Sequence, residues 1–184
     1  MPADPTLTRY SCSMRALHWL VALAVLVVYG VTYLEAFFPR GSVGRAYIWW
    51  THISVGLALI ALVALRIPNR LLARQPVPSA ALSRPVRIAS EAAHGLLYLL
   101  LIATPLVGIW LAFLRGDAVT FFSLFTFPSP IAADRTFARE IKEVHEWLAN
   151  ALVAIALIHA AAALVHHFVL KDDVLRRMLP GPSR

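Results

Sequence analysis

Four stretches of this chain contain no Asp, Glu, Lys or Arg: residues 16–34, 46–65, 92–114 and 147–170. Each reaches the roughly 20 residues that an α-helix needs to cross a bilayer. A spanning segment must satisfy its own backbone hydrogen bonds, so such runs call for helices. Four of them in 184 residues, with a mean hydropathy of +0.69, are too apolar for a soluble domain. The expected architecture is one all-α membrane domain over residues 1–184, a bundle of four transmembrane helices. Its spans are expected at about 15–38, 46–66, 91–114 and 143–170. No cleavable signal peptide is expected, because the first apolar run is too long for one and no small-residue cleavage site follows it.

The charge is uneven. Arg9, Arg15, Arg66, Arg70, Arg74, Arg84, Arg87, Lys171, Arg176, Arg177 and Arg184 share one side of a four-span chain, and they are most of its 17 basic residues. The other side holds Arg40, Arg45, Arg115, Arg135, Arg139 and Lys142, together with Glu35, Asp117, Asp134, Glu140, Glu143 and Glu146. The positive-inside rule then places both termini in the cytoplasm. The net charge of +7 reads as topology and lipid contact, and nucleic-acid binding is not expected. The single cysteine, Cys12, allows neither an internal disulfide nor a thioether haem attachment.

Punctuation divides the chain further. Pro39-Arg40-Gly41 stops span one, and Tyr47-Ile48-Trp49-Trp50 marks the interface where span two begins. Pro68, Pro76, Pro78 and Pro85 prevent the segment 66–90 from being one helix. Thr104-Pro105 and Gly108 predict a kink in span three. The aromatic run Phe121-Phe122-Ser123-Leu124-Phe125-Thr126-Phe127 is too short to span and is expected in the interface or over the end of the bundle. Asp134 is placed to cap a last helix beginning near Arg135.

The seven histidines carry the chemistry. His145 and His159 are fourteen residues apart, close to four helical turns, so they share a face about 21 Å apart. His18 lies near the inner end of span one. His52 lies about 6 Å inside the outer end of span two, and the levels of the two differ by about 22 Å. Equal depths pair His52 with His145 and His18 with His159. Ionisable residues inside a membrane are costly and usually functional, and imidazole is a common axial ligand of haem iron. Two matched pairs suggest two b haems, one near each membrane surface. Gly56, one turn from His52, and Ala160 to Ala163 after His159 leave room for a flat macrocycle, although such residues also serve ordinary helix packing. His94 competes with His18 or His159, or contacts a propionate or a quinone, with Arg87 nearby. His166 and His167 are expected to reach the inner interface beside Lys171. The rival chemistries are a metal transporter using these histidines and a purely structural bundle. Zinc favours clustered ligands, and the histidines instead divide into pairs at two depths.

The chain resembles the bacterial cytochrome b561 family of small four-helix di-haem b proteins. The resemblance rests on Leu17-His18-Trp19-Leu20, Phe37-Phe38-Pro39-Arg40, the His52 segment, Ala93-His94-Gly95 and Leu114-Arg115-Gly116. It continues in His145-Glu146-Trp147-Leu148-Ala149-Asn150 and in the run from His159 to His167, so it covers almost the whole chain in order. It implies bis-histidine haems at His18, His52, His145 and His159, in a bacterial inner membrane. It also implies oxidation of superoxide and reduction of ubiquinone, with no obligatory soluble partner. Other members of the wider family are cytochrome b subunits of dehydrogenases or hydrogenases. An anionic donor on the outer side would need positive potential there, which Arg40, Arg45, Arg115, Arg135, Arg139 and Lys142 could supply.

Overall fold

The computed structural model describes residues 9–74, 76 and 83–179. The four apolar runs are helices: α1 (Cys12–Gly30), α2 (Val43–Leu72), α3 (Arg84–Arg115) and α4 (Arg135–Phe168). All four are long and apolar enough to cross a membrane. The molecule is a four-helix transmembrane bundle. α1 packs mainly on α2 and α3 mainly on α4, and the two pairs meet through α2 and α3.

Local chemistry explains the ends. Ser11 caps α1 by accepting from the Met14 N–H, and Ser42 caps α2 by accepting from Arg45 N–H. Asp134 accepts from the N–H groups of both Thr136 and Phe137, so α4 starts at Arg135 as its sequence suggests. Gly116 ends α3 in the left-handed region at φ 80°. Span one does not stay α-helical to Pro39: it tightens into a 3₁₀ segment, Val31–Phe37. The proline-rich connection is shorter than its composition suggests. α2 absorbs Pro68 and runs to Leu72, while Pro85 sits in the first turn of α3, where its missing N–H costs nothing. Pro78 lies outside the described residues. α3 continues as α-helix through Pro105.

One face of each helix points inward in steps of seven residues. At mid-depth, Val25, Leu59, Leu101 and Leu152 belong to one buried cluster, one residue from each helix. Seven residues to either side of them stand His18, His52, Arg66, His94, Gly108, His145 and His159. A heptad repeat keeps one seam facing its neighbours, as in left-handed bundles. The apolar layer therefore separates two polar levels: His18, Arg66, His94 and His159 towards the end holding both termini, and His52 and His145 towards the opposite end.

That opposite end is closed by a β-hairpin where the aromatic run was expected to lie across the bundle. Strands β1 (Val119–Phe121) and β2 (Phe125–Phe127) pair antiparallel, with Thr120 opposite Thr126. Phe122 and Ser123 turn with φ of 44° and 59°, a left-handed conformation that side chains rarely adopt. The hairpin is held from α2. Ser54, fully buried, donates to the Thr120 carbonyl at 3.3 Å and accepts from the Phe122 N–H at 3.0 Å, and Trp50 Nε1–H donates to Ser123 Oγ at 3.1 Å.

At the other end, residues after α4 fold back over α1. Arg15 Nη1 and Trp19 Nε1 donate to the carbonyls of Leu179 and Met178, both at 2.8 Å. Because Ser54 serves two hairpin backbone groups, Ser54→Ala leaves both unmade in a dry site. The expected loss is about 1–3 kcal/mol, read as a lower unfolding midpoint in detergent and faster amide exchange over the hairpin.

Candidate functional site

The heptad face brings together the histidines paired by depth. The ring centres of His52 and His145 are 6.1 Å apart at 77° between planes, and those of His18 and His159 are 6.3 Å apart at 73°. Each ring is half-buried. His94 lies 5.1 Å from His159, so the terminal end carries three imidazoles rather than two.

Backbone carbonyls orient the rings. Nδ1 of His52 lies 2.8 Å from the Val28 carbonyl, and Nδ1 of His145 lies 3.0 Å from that of Thr104. A carbonyl can only accept, so each Nδ1 carries the proton. Each Nε2 is then left as a neutral lone pair, the form in which imidazole binds a metal. His94 is held the same way by the Ser90 carbonyl at 2.6 Å. Gly108 completes the setting of His145: a Cβ there would come within 2.9 Å of His145 Cε1. Gly56 has the opposite character, since a Cβ would meet only Val28, at 3.9 Å. No neighbouring helix demands a glycine at that point.

This geometry fits a metal held between paired rings. An imidazole nitrogen sits about 2 Å from its metal and the ring centre about 1 Å behind, so rings on opposite sides have centres about 6 Å apart. Both pairs meet that spacing, whereas His94 and His159 stand closer. Among the described residues, no group of three or more His, Cys, Asp or Glu side chains is placed to hold one metal ion. Two nitrogens from opposite sides suit a planar tetradentate group such as a porphyrin, which supplies the remaining four ligands itself.

The charged residues divide. Arg115, Arg135, Arg139 and Lys142, with Asp117 and Ala138, line a cavity of about 330 Å³ at the hairpin end. Arg40 does not line this cavity, and Arg45 is paired with Glu35. Lys142 also pairs with Glu146 one turn along α4. Arg87 stands exposed in the first turn of α3, and the arginines that reach α3 further along are Arg66 and Arg70, both over the Tyr98 ring one turn from His94. Sequence reasoning overlooked Arg66, although its fourteen-residue spacing from His52 repeats that of His145 and His159. It also read Gly108 only as a kink.

His166 is not simply directed to the interface. Its Nδ1 lies 2.5 Å from Asp172 Oδ2, which ties the tail to α4. Burial alone would raise the Asp172 carboxyl. The His166 bond and the Val174 N–H outweigh it and hold Asp172 below its ordinary 3.8.

The model of the prokaryotic cytochrome b561 family matches residues 9–181. A probable superoxide oxidase CybB of Yersinia pestis is 36% identical over 94% of this chain and 96% of its own length. Cytochrome b561 homolog 2 of Escherichia coli (strain K12) is 33% identical over 95% of this chain and 93% of its own. Cytochrome b562 of Cereibacter sphaeroides is 32% identical over 97% and 98% respectively.

The Asp172 carboxyl predicts a pH dependence for the tail. A lowered folded value contributes stability above the unfolded pKa, and that stability is lost as pH falls through the folded value. Limited proteolysis after residue 170 should therefore be slow at neutral pH and accelerate only once the pH falls below 3.8. Asp172→Asn should accelerate it at neutral pH as well.

Proposed function

Because this chain belongs to the prokaryotic cytochrome b561 family, whose members are multi-pass bacterial membrane proteins carrying electrons with b-type haem, we propose that it oxidises superoxide and reduces ubiquinone across the inner membrane. Two superoxide anions each give up one electron and become dioxygen, and the quinone takes up two electrons and two protons. Two b haems are assigned, one between His52 and His145 and one between His18 and His159. Held by these histidines, each haem would supply one-electron transfer.

The chain's own residues do the rest. The carbonyls of Val28 and Thr104 hold His52 and His145 in the ligating tautomer. Gly108 lets α3 approach His145, and Gly56 leaves the neighbouring face clear. The apolar layer that includes Val25, Leu59, Leu101 and Leu152 separates the two levels. The observation that carries the superoxide reading is the cavity lined by Arg115, Arg135, Arg139 and Lys142, with one carboxylate, whose Lys142 lies one turn before His145 on α4. Such a site raises the local concentration of a small anion. The basic residues at the end holding the termini support a cytoplasmic location for both termini. Cys12, the only cysteine and exposed, reports on this: an impermeant maleimide should label inverted membrane vesicles and spare spheroplasts.

Acid-acetone extraction should release two haems per chain. His52→Ala or His145→Ala, and separately His18→Ala or His159→Ala, should each remove about half of the reduced-minus-oxidised alpha band. Gly108→Leu should lower the same fraction as His145→Ala, less completely. A single haem in well-folded wild-type protein would overturn the four-ligand assignment.

Superoxide should reduce the isolated protein quickly, and the paired reversal Arg135→Glu with Arg139→Glu should slow this about tenfold at low salt. The difference should shrink at high ionic strength. Slow, salt-insensitive reduction by superoxide would instead mark a cytochrome b subunit fed by a dehydrogenase or hydrogenase. Failure of ubiquinone to reoxidise the reduced protein would remove it as acceptor.

A further inference from the structure

The level that holds His18 and His159 contains a cation the haem ligands do not explain. Arg66 is fourteen residues from His52 on α2, so it occupies on its own helix the place that His159 occupies relative to His145. It is half-buried in a helix that spans the membrane. Its Nε–H donates to Tyr98 Oη at 3.0 Å, and its guanidinium lies 5.9 Å from the centre of the Tyr98 ring. Tyr98 is one turn along α3 from His94. These contacts fix the guanidinium and use one of its five donors. Nη1 is buried and has no hydrogen-bond partner among the described residues. Arg66 forms no ion pair among those residues either. It lines a small cavity with Met14, Leu17 and Tyr98, and so lies one residue along α1 from His18 and one turn along α3 from His94.

A buried, immobilised guanidinium with unused donors is costly unless it meets an anion. Carboxylate is the group its planar fork matches best. The described acids towards this end are Glu91, Asp172 and Asp173. Glu91 is exposed, Asp172 is engaged by His166 and Asp173 by Arg177. Among the described residues, no acid meets this cation.

We propose that Arg66, steadied by Tyr98, clamps a propionate carboxylate of the haem between His18 and His159. It is a positioning residue: it orients that haem and raises its electron affinity, while the iron is held by the imidazoles. This rests on the two-haem reading above. A phosphate of an anionic lipid offers the same charge and oxygen donors, so the test has to separate the two sources.

Haem-containing protein is produced with 5-aminolevulinate carrying carbon-13 at its carboxyl, which labels only the haem propionates. Redox-difference infrared spectra then report isotope-sensitive carboxylate bands as each haem titrates. In Arg66→Gln, the bands of one haem should shift and those of the other stay in place. The affinity of that haem for its electron should fall about tenfold, which is about 59 mV for a one-electron couple. Arg66→Lys keeps the charge and loses the fork, so its bands should shift with a smaller fall in potential. If Arg66→Gln sheds one haem, the Arg66→Lys spectra decide the matter. Unchanged propionate bands in a variant that retains both haems would overturn the proposal. If exchanging anionic for zwitterionic nanodiscs then moves the wild-type potential as much as Arg66→Gln does, the anion is a lipid phosphate. A wild-type protein with no isotope-sensitive bands or fewer than two haems would instead remove the underlying two-haem reading.

Discussion

The packing of one aliphatic cluster at mid-depth, drawn from all four helices, governs the rest of this molecule. Val25, Leu59, Leu101 and Leu152 belong to it with Val21, Ala24, Val63 and Leu100, and burying them sets how the helices are rotated. In lipid no hydrophobic force drives helices together, so this packing works through close dispersion contact. Once the four helices are in register there, residues seven places away are brought to common levels. The histidine pairs at 6.1 and 6.3 Å follow from that register and from no direct bond between their rings.

The two levels are built differently. At the hairpin end the imidazoles are tied to main-chain carbonyls and packed against a glycine, in a setting with few degrees of freedom. At the terminal end a third histidine and an arginine crowd the pair, and the tail folds over the mouth through Arg15 and Trp19. The surroundings also differ in charge. A cation-lined cavity adjoins one level, while the other is bordered by Arg66 and Arg70 around Tyr98. Two histidine levels in unequal fields give a physical reason for any redox groups they would hold to differ in electron affinity.

The spans and the pairing of histidines by depth were legible in the chain because both depend on helical geometry alone. Residues 16–34 have no charge to hold them in water, and the fourteen residues from His145 to His159 bring both to one face whatever surrounds them. The hairpin was not legible. Val119-Thr120-Phe121 and Phe125-Thr126-Phe127 alternate as strands do, but Phe122-Ser123 lacks the glycine or asparagine that normally announces such a turn. What holds it is Ser54, more than sixty residues earlier.

The sequence by itself determined that the chain lives in a membrane, how many times it crosses and which histidines lie at matching depths. These are properties of single helices measured against the thickness of a bilayer. Tertiary structure alone decided that Gly108 abuts His145 and that His94 joins the cluster around His159. It alone gathered Arg115, Arg135, Arg139 and Lys142 around one cavity while Arg45 turned to Glu35. It also brought Arg66 between Leu17, the neighbour of His18, and Tyr98, one turn from His94. Each of these joins residues of different segments, and the rotation and approach of packed helices are set by side-chain contacts across the interface, which no spacing along one helix records.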